Sequence, residues 1–135
     1  MGHRNWAGET ESSEVERFSL TWFPGQSFIV GSITTAFKDT PVGSASQWIG
    51  WDPIAKQIRS WMIDSTGGFG EGSWTRDGDK WLIKTTTVLQ EGKKAATTYV
   101  LTRVDADTLT LQARDRSVDG HELPATKEVR LKRVK

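Results

Sequence analysis

Cysteine is missing altogether. That absence excludes disulfide staples, thiolate nucleophiles and thiolate-held metals at once, and it leaves the compartment open. Histidine is nearly missing too, with only His3 and His121. His3 stands in the terminal stretch and His121 beside an Asp-Gly turn, so no nucleophile–histidine–acid set can be assembled. No apolar run approaches the roughly 18 residues of a membrane-spanning helix, and no signal peptide is legible. Neither sign of charge dominates: 18 basic residues stand against 17 acidic ones. A balance that close provides no global field to recruit nucleic acid or an anionic membrane. Nor does a helical apolar period persist over about ten residues anywhere. The expectation is one soluble globular domain over residues 1–135, with 1–4 a flexible terminus, large enough to bury a core.

What is abundant is tryptophan and glycine, seven and thirteen residues respectively. Trp48, Trp51, Trp61 and Trp74 crowd into one short stretch, interrupted by Asp52-Pro53 and Gly67-Gly68. Aromatics favour pleated, half-buried surfaces, while Asp-Pro and Gly-Gly mark chain reversals. Turn signals recur along the whole chain at the spacing of an all-β barrel or sandwich. They place strands near 4–8, 14–23, 27–37, 45–51, 57–64, 69–76, 80–89, 95–104, 108–118 and 123–134. The connections fall at Pro24-Gly25, 39–43, 52–56, 65–68, Asp77-Gly78, Glu91-Gly92, 105–107 and Asp119-Gly120. Sequential strands with short hairpins and no crossover helix predict an up-and-down antiparallel barrel of about eight to ten strands, closed so that no edge is left unpaired.

A two-residue loop at Asp77-Gly78 predicts a register in which Trp74 opposes Trp81 and Glu71 opposes Lys84. Opposed residues share a face, so Trp74, Trp81, Ile83 and Thr85 go together. Carried through Glu91-Gly92, the same face gains Thr98, Val100, Thr110, Gln112 and Arg114. It is aromatic at one end and polar at the other, as a ligand cavity would be. The opposite face then holds Leu82, Tyr99, Leu101, Leu111 and Ala113, an uncomfortable set for solvent. One slip of register exchanges the two faces.

Ile49-Gly50-Trp51-Asp52-Pro53, Lys56, and Ser60-Trp61-Met62-Ile63-Asp64-Ser65 resemble a pattern of bacterial calycin-like, lipocalin-type domains of unknown function. The run through Gly67-Gly68-Phe69-Gly70-Glu71-Gly72, Trp74 to Gly78 and Trp81 is similar to one group in particular. That group is the C-terminal domain of proteins whose N-terminal half is SnoaL-like. Asp115-Arg116, Asp119-Gly120 and Leu123-Pro124 continue the likeness, which covers most of 45–135. Turns and aromatics of this kind specify a fold more than a reaction. The resemblance implies a calycin barrel and a SnoaL-like domain as fused or separate partner. Some calycin-like barrels hold haem through a histidine near the C-terminus, and His121, at a hairpin tip, is poorly placed for it.

Trp48, Trp51, Trp61, Trp74 and Trp81 are the candidate ligand contacts, since indoles stack on planar or apolar molecules and donate an N–H. Equally, they can plug a narrow barrel. Gln112 and Arg114 complete the candidate site, Arg114 as a bidentate grip for a carboxylate. The plain alternative for Arg114, and for Arg59 and Arg116, is an exposed ion pair on the wall. Asp64 and Glu71 are the candidate carboxylates for acid–base chemistry, because burial can raise a pKa into the working range. Glu71 opposite Lys84 reads more simply as structural. No metal-ligand spacing or cofactor motif is present, and the glycines at 67–72 lack the following helix of a phosphate loop. The basic stretch from Lys127 to Lys135 lacks the exposed aromatics of a nucleic-acid platform.

The function these residues predict is binding of a small apolar or aromatic molecule, with an anionic end, in a barrel cavity without catalysis. Two alternatives stay open. One is a barrel enzyme, an isomerase, cyclase or hydrolase, acting on a hydrophobic substrate. The other is a filled accessory barrel serving a partner domain.

Overall fold

The computed structural model describes residues 4–134, so His3 lies outside the described residues. Among the described residues, eleven antiparallel strands and no helix make up the fold. They are β1 (Arg4–Glu9), β2 (Glu14–Trp22), β3 (Phe28–Phe37), β4 (Thr40–Asp52), β5 (Gln57–Asp64) and β6 (Phe69–Asp77). β7 (Lys80–Val88), β8 (Lys94–Asp105), β9 (Thr108–Val118), β10 (His121–Leu123) and β11 (Val129–Val134) follow. Neighbours in sequence pair from β1 to β9, and β11 inserts between β9 and β1. Ten strands therefore close into an up-and-down barrel, with β10 as an extra ribbon on the end of β9. No helix among the described residues is long and apolar enough to cross a membrane.

The last expected strand, 123–134, is split in two. Pro124 has no N–H to donate to a ladder, and the chain leaves β9 there before rejoining it at Val129. Thr126 spans the gap: its N–H donates to the Ala113 carbonyl at 2.9 Å, and its hydroxyl accepts the Ala113 N–H at 3.0 Å. The Gln112 amide donates to the Thr126 carbonyl at 2.9 Å. The backbone groups of Ala113 and Thr126 thus stay paired across the interruption.

Turn chemistry sets each register. Asp119-Gly120 is a hairpin tip with φ of 48° and 81°, the all-positive pattern of a type I′ turn. The loop expected over 39–43 is far tighter. Phe37 pairs with Thr40 around Lys38 and Asp39, both at positive φ, and a bulge near Thr35 absorbs the extra residue. At the next hairpin Asp77 pairs with Lys80, so the two loop residues are Gly78 and Asp79 rather than Asp77 and Gly78. Gly78 has φ 64° and Asp79 is not in the positive-φ region, which fits a type II′ turn. Trp74 consequently opposes Ile83, and Trp81 opposes Arg76. The shift is two residues, so every side chain keeps its expected face.

One hairpin later the shift is one residue, and the faces exchange. Leu89 N–H donates to the Lys93 carbonyl at 2.8 Å and Gly92 N–H to the Leu89 carbonyl at 2.9 Å. Gly92 has φ 87°, so Glu91-Gly92 closes a three-residue loop with glycine in the left-handed position, not a two-residue turn. Ile83 now opposes Tyr99, and Trp81 opposes Leu101. Tyr99, Leu101, Leu111 and Ala113 accordingly turn inward with the Trp74 face, while Thr98, Val100, Thr110, Gln112 and Arg114 turn outward. The β8–β9 grouping holds; both strands are simply turned over together.

Outward threonines on this wall are nevertheless buried, Thr108 to 1% exposure. Long cationic side chains stand opposite them: Lys132 beside Thr108, Arg130 beside Thr110, Arg114 and Lys84 beside Thr98. Lys132 Nζ donates to Thr108 Oγ1 at 2.8 Å. Alkyl stems of Lys and Arg shield short branched neighbours while their charges stay wet.

Two loop variants test these turn assignments. Gly78→Val is expected to destabilise the fold by about 1–3 kcal/mol, the cost of forcing a branched residue into positive φ. Replacing Lys38-Asp39 by Asn-Gly is expected to stabilise it by about 1 kcal/mol, since those residues accept a type I′ turn cheaply. Urea denaturation of both variants reads the two opposite signs.

Candidate functional site

Alternation along the closed barrel brings one side chain set to the interior, where it encloses a cavity of about 300 Å³. Towards the end that carries the 78–79 turn the lining is apolar, with Trp74, Leu20, Ile49, Leu109 and Leu131. Trp6 and Phe18, cross-strand partners, line its middle with Ile33 and Met62. Towards the opposite end the lining turns polar, with Glu16, Thr87 and Tyr99, while Gln47 and Thr85 stand between, opposite Met62 and Gly72. The barrel is hollow rather than plugged.

Trp74 is fixed by a local arrangement that begins with a missing side chain. A Cβ at Gly72 would stand 2.8 Å from Ser60 Oγ and 3.2 Å from Thr85 Cγ2. Glycine there leaves Ser60, only 5% exposed, free to accept the Trp74 indole N–H at 3.0 Å. Gly70 is equally constrained: a Cβ would collide with the Thr86 carbonyl oxygen and come within 2.9 Å of Thr87 Cα. Trp81 packs edge-on against Trp74 with ring centroids 6.0 Å apart, an attractive geometry for aromatic pairs. A β6 poor in inward side chains is thus what seats an indole at the apolar end of the cavity.

The five candidate tryptophans therefore divide. Trp74 lines the cavity and Trp81 backs it. Trp51 belongs to the inner side by alternation but lies at the barrel rim, 57% exposed. Trp48 and Trp61 oppose each other on the outer wall. There Phe23 packs edge-on against Trp48 at 4.8 Å, and Phe28 sits 6.4 Å from Trp61. Both point away because Gln47, Ile49, Ser60 and Met62, their immediate neighbours in β4 and β5, point in. Gln112 and Arg114 are also on the outer wall, Arg114 beside Asp115 at 3.8 Å. No carboxylate grip at the cavity comes from Arg114.

The candidate carboxylates move as well. Glu71 is exposed and pairs with Arg59 at 3.3 Å, not with Lys84. Arg59 also reaches Asp52 at 3.6 Å and donates from Nε to the Gly72 carbonyl at 3.2 Å, bracing the outside of β6. Asp64 caps the 65–68 turn. The Thr66 hydroxyl, then the Gly68 and Thr66 amides, hold its carboxyl below the usual range. Asp64 therefore does not have the raised pKa of a buried acid.

Glu16 does. It lines the cavity, and burial, followed by the nearby charge of Glu14, pushes its carboxyl above the ordinary glutamate value. Tyr99, the one tyrosine of the chain, is pushed upward by burial; Arg116 pulls against that shift and Glu16 adds to it. A bulge accounts for Arg116. Thr98 opposes Arg114 and Ala96 opposes Ser117, so Asp115 and Arg116 share the single place opposite Thr97. Asp115 takes φ 49°, and Arg116 falls on the side of Thr97 and Tyr99. Its guanidinium donates to the Pro124 carbonyl at 3.0 Å.

Sequence reasoning passed over Trp6, Glu16 and Tyr99. For Glu16 a signal exists: Glu16, Phe18 and Leu20 alternate with Arg17 and Ser19, which sets an acidic residue on an apolar face. No cluster of metal-ligating side chains occurs among the described residues.

The raised Glu16 value has a consequence for stability. A carboxyl that holds its proton to higher pH in the native state opposes folding once it ionises. Stability is therefore expected to rise as pH falls from the raised native value towards the ordinary glutamate value. Glu16→Gln is expected to lack that component and to be the more stable form at neutral pH. Thermal melts of both proteins across this window read the difference.

Comparison of the chain with protein-family models and with curated proteins finds no match.

Proposed function

We propose that the barrel binds a small apolar or aromatic molecule in its central cavity and performs no chemistry on it. The observation that carries this reading is the hollow interior itself. Its lining is largely aliphatic and aromatic, with a few polar groups gathered at one end, the usual constitution of a small-ligand site. The resemblance of 45–135 to calycin-like bacterial domains supports the same reading, since closed barrels of this size hold one small ligand. On that resemblance a SnoaL-like domain is the partner to look for.

One observation favours a second reading. A cavity-facing carboxyl with a raised pKa, Glu16, lies in the same pocket as Tyr99, a pairing suited to moving a proton on an apolar substrate. An isomerase is the reaction class it fits.

Titration of the intrinsic tryptophan fluorescence with retinoids, fatty alcohols and planar aromatics tests the primary reading. Losing an aromatic that is buried against a ligand removes ~1.5–3 kcal/mol of apolar burial. Trp74→Ala is therefore expected to weaken binding about ten- to a hundredfold if the fold survives. Trp48→Ala and Arg114→Ala, both on the outer wall, are expected to leave it unchanged. Binding that ignores Trp74→Ala and responds to Trp48→Ala would move the site to the outside of the barrel. Turnover of an enone or other isomerisable ligand, abolished by Glu16→Gln, would favour the second reading.

A further inference from the structure

We infer that the ligand's polar end is a hydrogen-bond donor, preferentially a protonated amine, received by Glu16 at the polar end of the cavity, and that carboxylate-headed molecules are selected against. This rests on the binding reading above and adds the chemistry of the head group.

The argument starts from what surrounds Glu16. On its two flanking strands the directly opposed residues are Gly8 and Thr35, neither of them charged. Glu14, two positions along on the same strand, is a second acid near enough to act on it. Across the cavity the groups whose charges reach this region are Tyr99 and Arg116. Among the described residues no side chain makes an ion pair with Glu16 or donates a hydrogen bond to it. Its carboxylate is thus an acceptor facing the cavity with its bonding capacity unspent.

Arg116 is not a free anchor for an anion. One of its guanidinium nitrogens is tied to the Pro124 carbonyl at the mouth, and the two acids on β2 outnumber it. A carboxylate entering here would stand against Glu14 and Glu16, a repulsion strengthened by the partly desolvated setting. An ammonium reverses both signs. It supplies donors to an acceptor-only group and forms a charge-assisted bond, the stronger class of hydrogen bond. Opposite Glu16 on β1 is Gly8, whose side-chain place is filled by the Arg130 carbonyl and a Leu131 methyl, so no competing charge stands there. The apolar wall beyond, from Phe18 and Ile33 to Leu131, takes a hydrocarbon tail. Amphiphilic amines match this order of surfaces; fatty acids invert its charge.

The test is displacement of a neutral reporter, N-phenylnaphthylamine, by decylamine, decanol and decanoic acid below their micelle-forming concentrations. At neutral pH decylamine is expected to bind about tenfold or more tighter than decanoic acid, with decanol between them. Glu16→Gln is expected to abolish the lead of the amine and to tighten the acid. Trp74→Ala is expected to weaken all three alike. In the wild type the amine's lead over decanol, which does not titrate, is expected to shrink as pH falls through the native pKa of Glu16, and Glu16→Gln is expected to show no such change.

Decanoic acid binding as tightly as decylamine to the wild type would overturn the inference and leave the cavity reading standing. So would a ranking that survives Glu16→Gln. A reporter that never enters the barrel would remove the cavity reading and this inference with it.

Discussion

Everything in this molecule depends on closing the ring of backbone hydrogen bonds between β9 and β1. A sheet without helices has no second layer to cover its edges, and an open edge presents a row of unpaired N–H and C=O groups. β11 supplies the missing strand: it pairs with Thr108–Leu111 of β9 on one side and with Asn5–Ala7 of β1 on the other. Below it Thr126 and Gln112 carry the seam across the interruption at Pro124. Among the described residues, Ile83, Val100 and Leu131 are the most deeply buried apolar side chains, and the rest of the inward apolar set faces the cavity.

Closure without a filled interior is what makes room for a site. Packing at ordinary protein density would leave few voids larger than a water molecule, yet this barrel keeps a cavity along its axis. Gly70 and Gly72 of β6 line it without side chains of their own, because Thr86 and Thr87 at the first, and Ser60 and Thr85 at the second, already stand where a Cβ would go. Aromatic bulk is placed at one end instead, where Trp74 is tied to Ser60 and backed by Trp81. Outside the same strand, Arg59 bridges Asp52, Glu71 and the Gly72 carbonyl. That brace steadies a strand whose own side chains give it little packing.

Charge is distributed across the wall by the same alternation. The outer face carries the ion pairs and the long cations that lie over threonine rows, where water screens them. The inner face carries Glu16, Tyr99 and, through the bulge at Asp115, Arg116. A bulge of one residue thereby moves a guanidinium from the wall towards the mouth. Polar groups gathered at one end of an apolar chamber orient a ligand in one direction, which is why the chemistry of that end decides what the chamber accepts.

How much of this was legible can be judged strand by strand. Two-residue turn signals such as Asp119-Gly120, and strand lengths set by the spacing between turns, are local chemistry, and the barrel class follows from them. So does the joint face of Trp74, Trp81, Ile83 and Thr85, because a period of two survives a two-residue slip of register unharmed. What the sequence left undetermined is parity. Glu91-Gly92 closes a loop of two or of three residues, and only the barrel interior, which needs Tyr99, Leu101 and Leu111 inside, distinguishes them. From that one residue of difference Gln112 and Arg114 pass from cavity to outer wall. The bulge that turns Arg116, the outward orientation of Trp48 and Trp61, and the return of β11 to β1 are likewise long-range. Each depends on which strand lies opposite and which face closure turns inward, and neither is written in the residues of the strand itself.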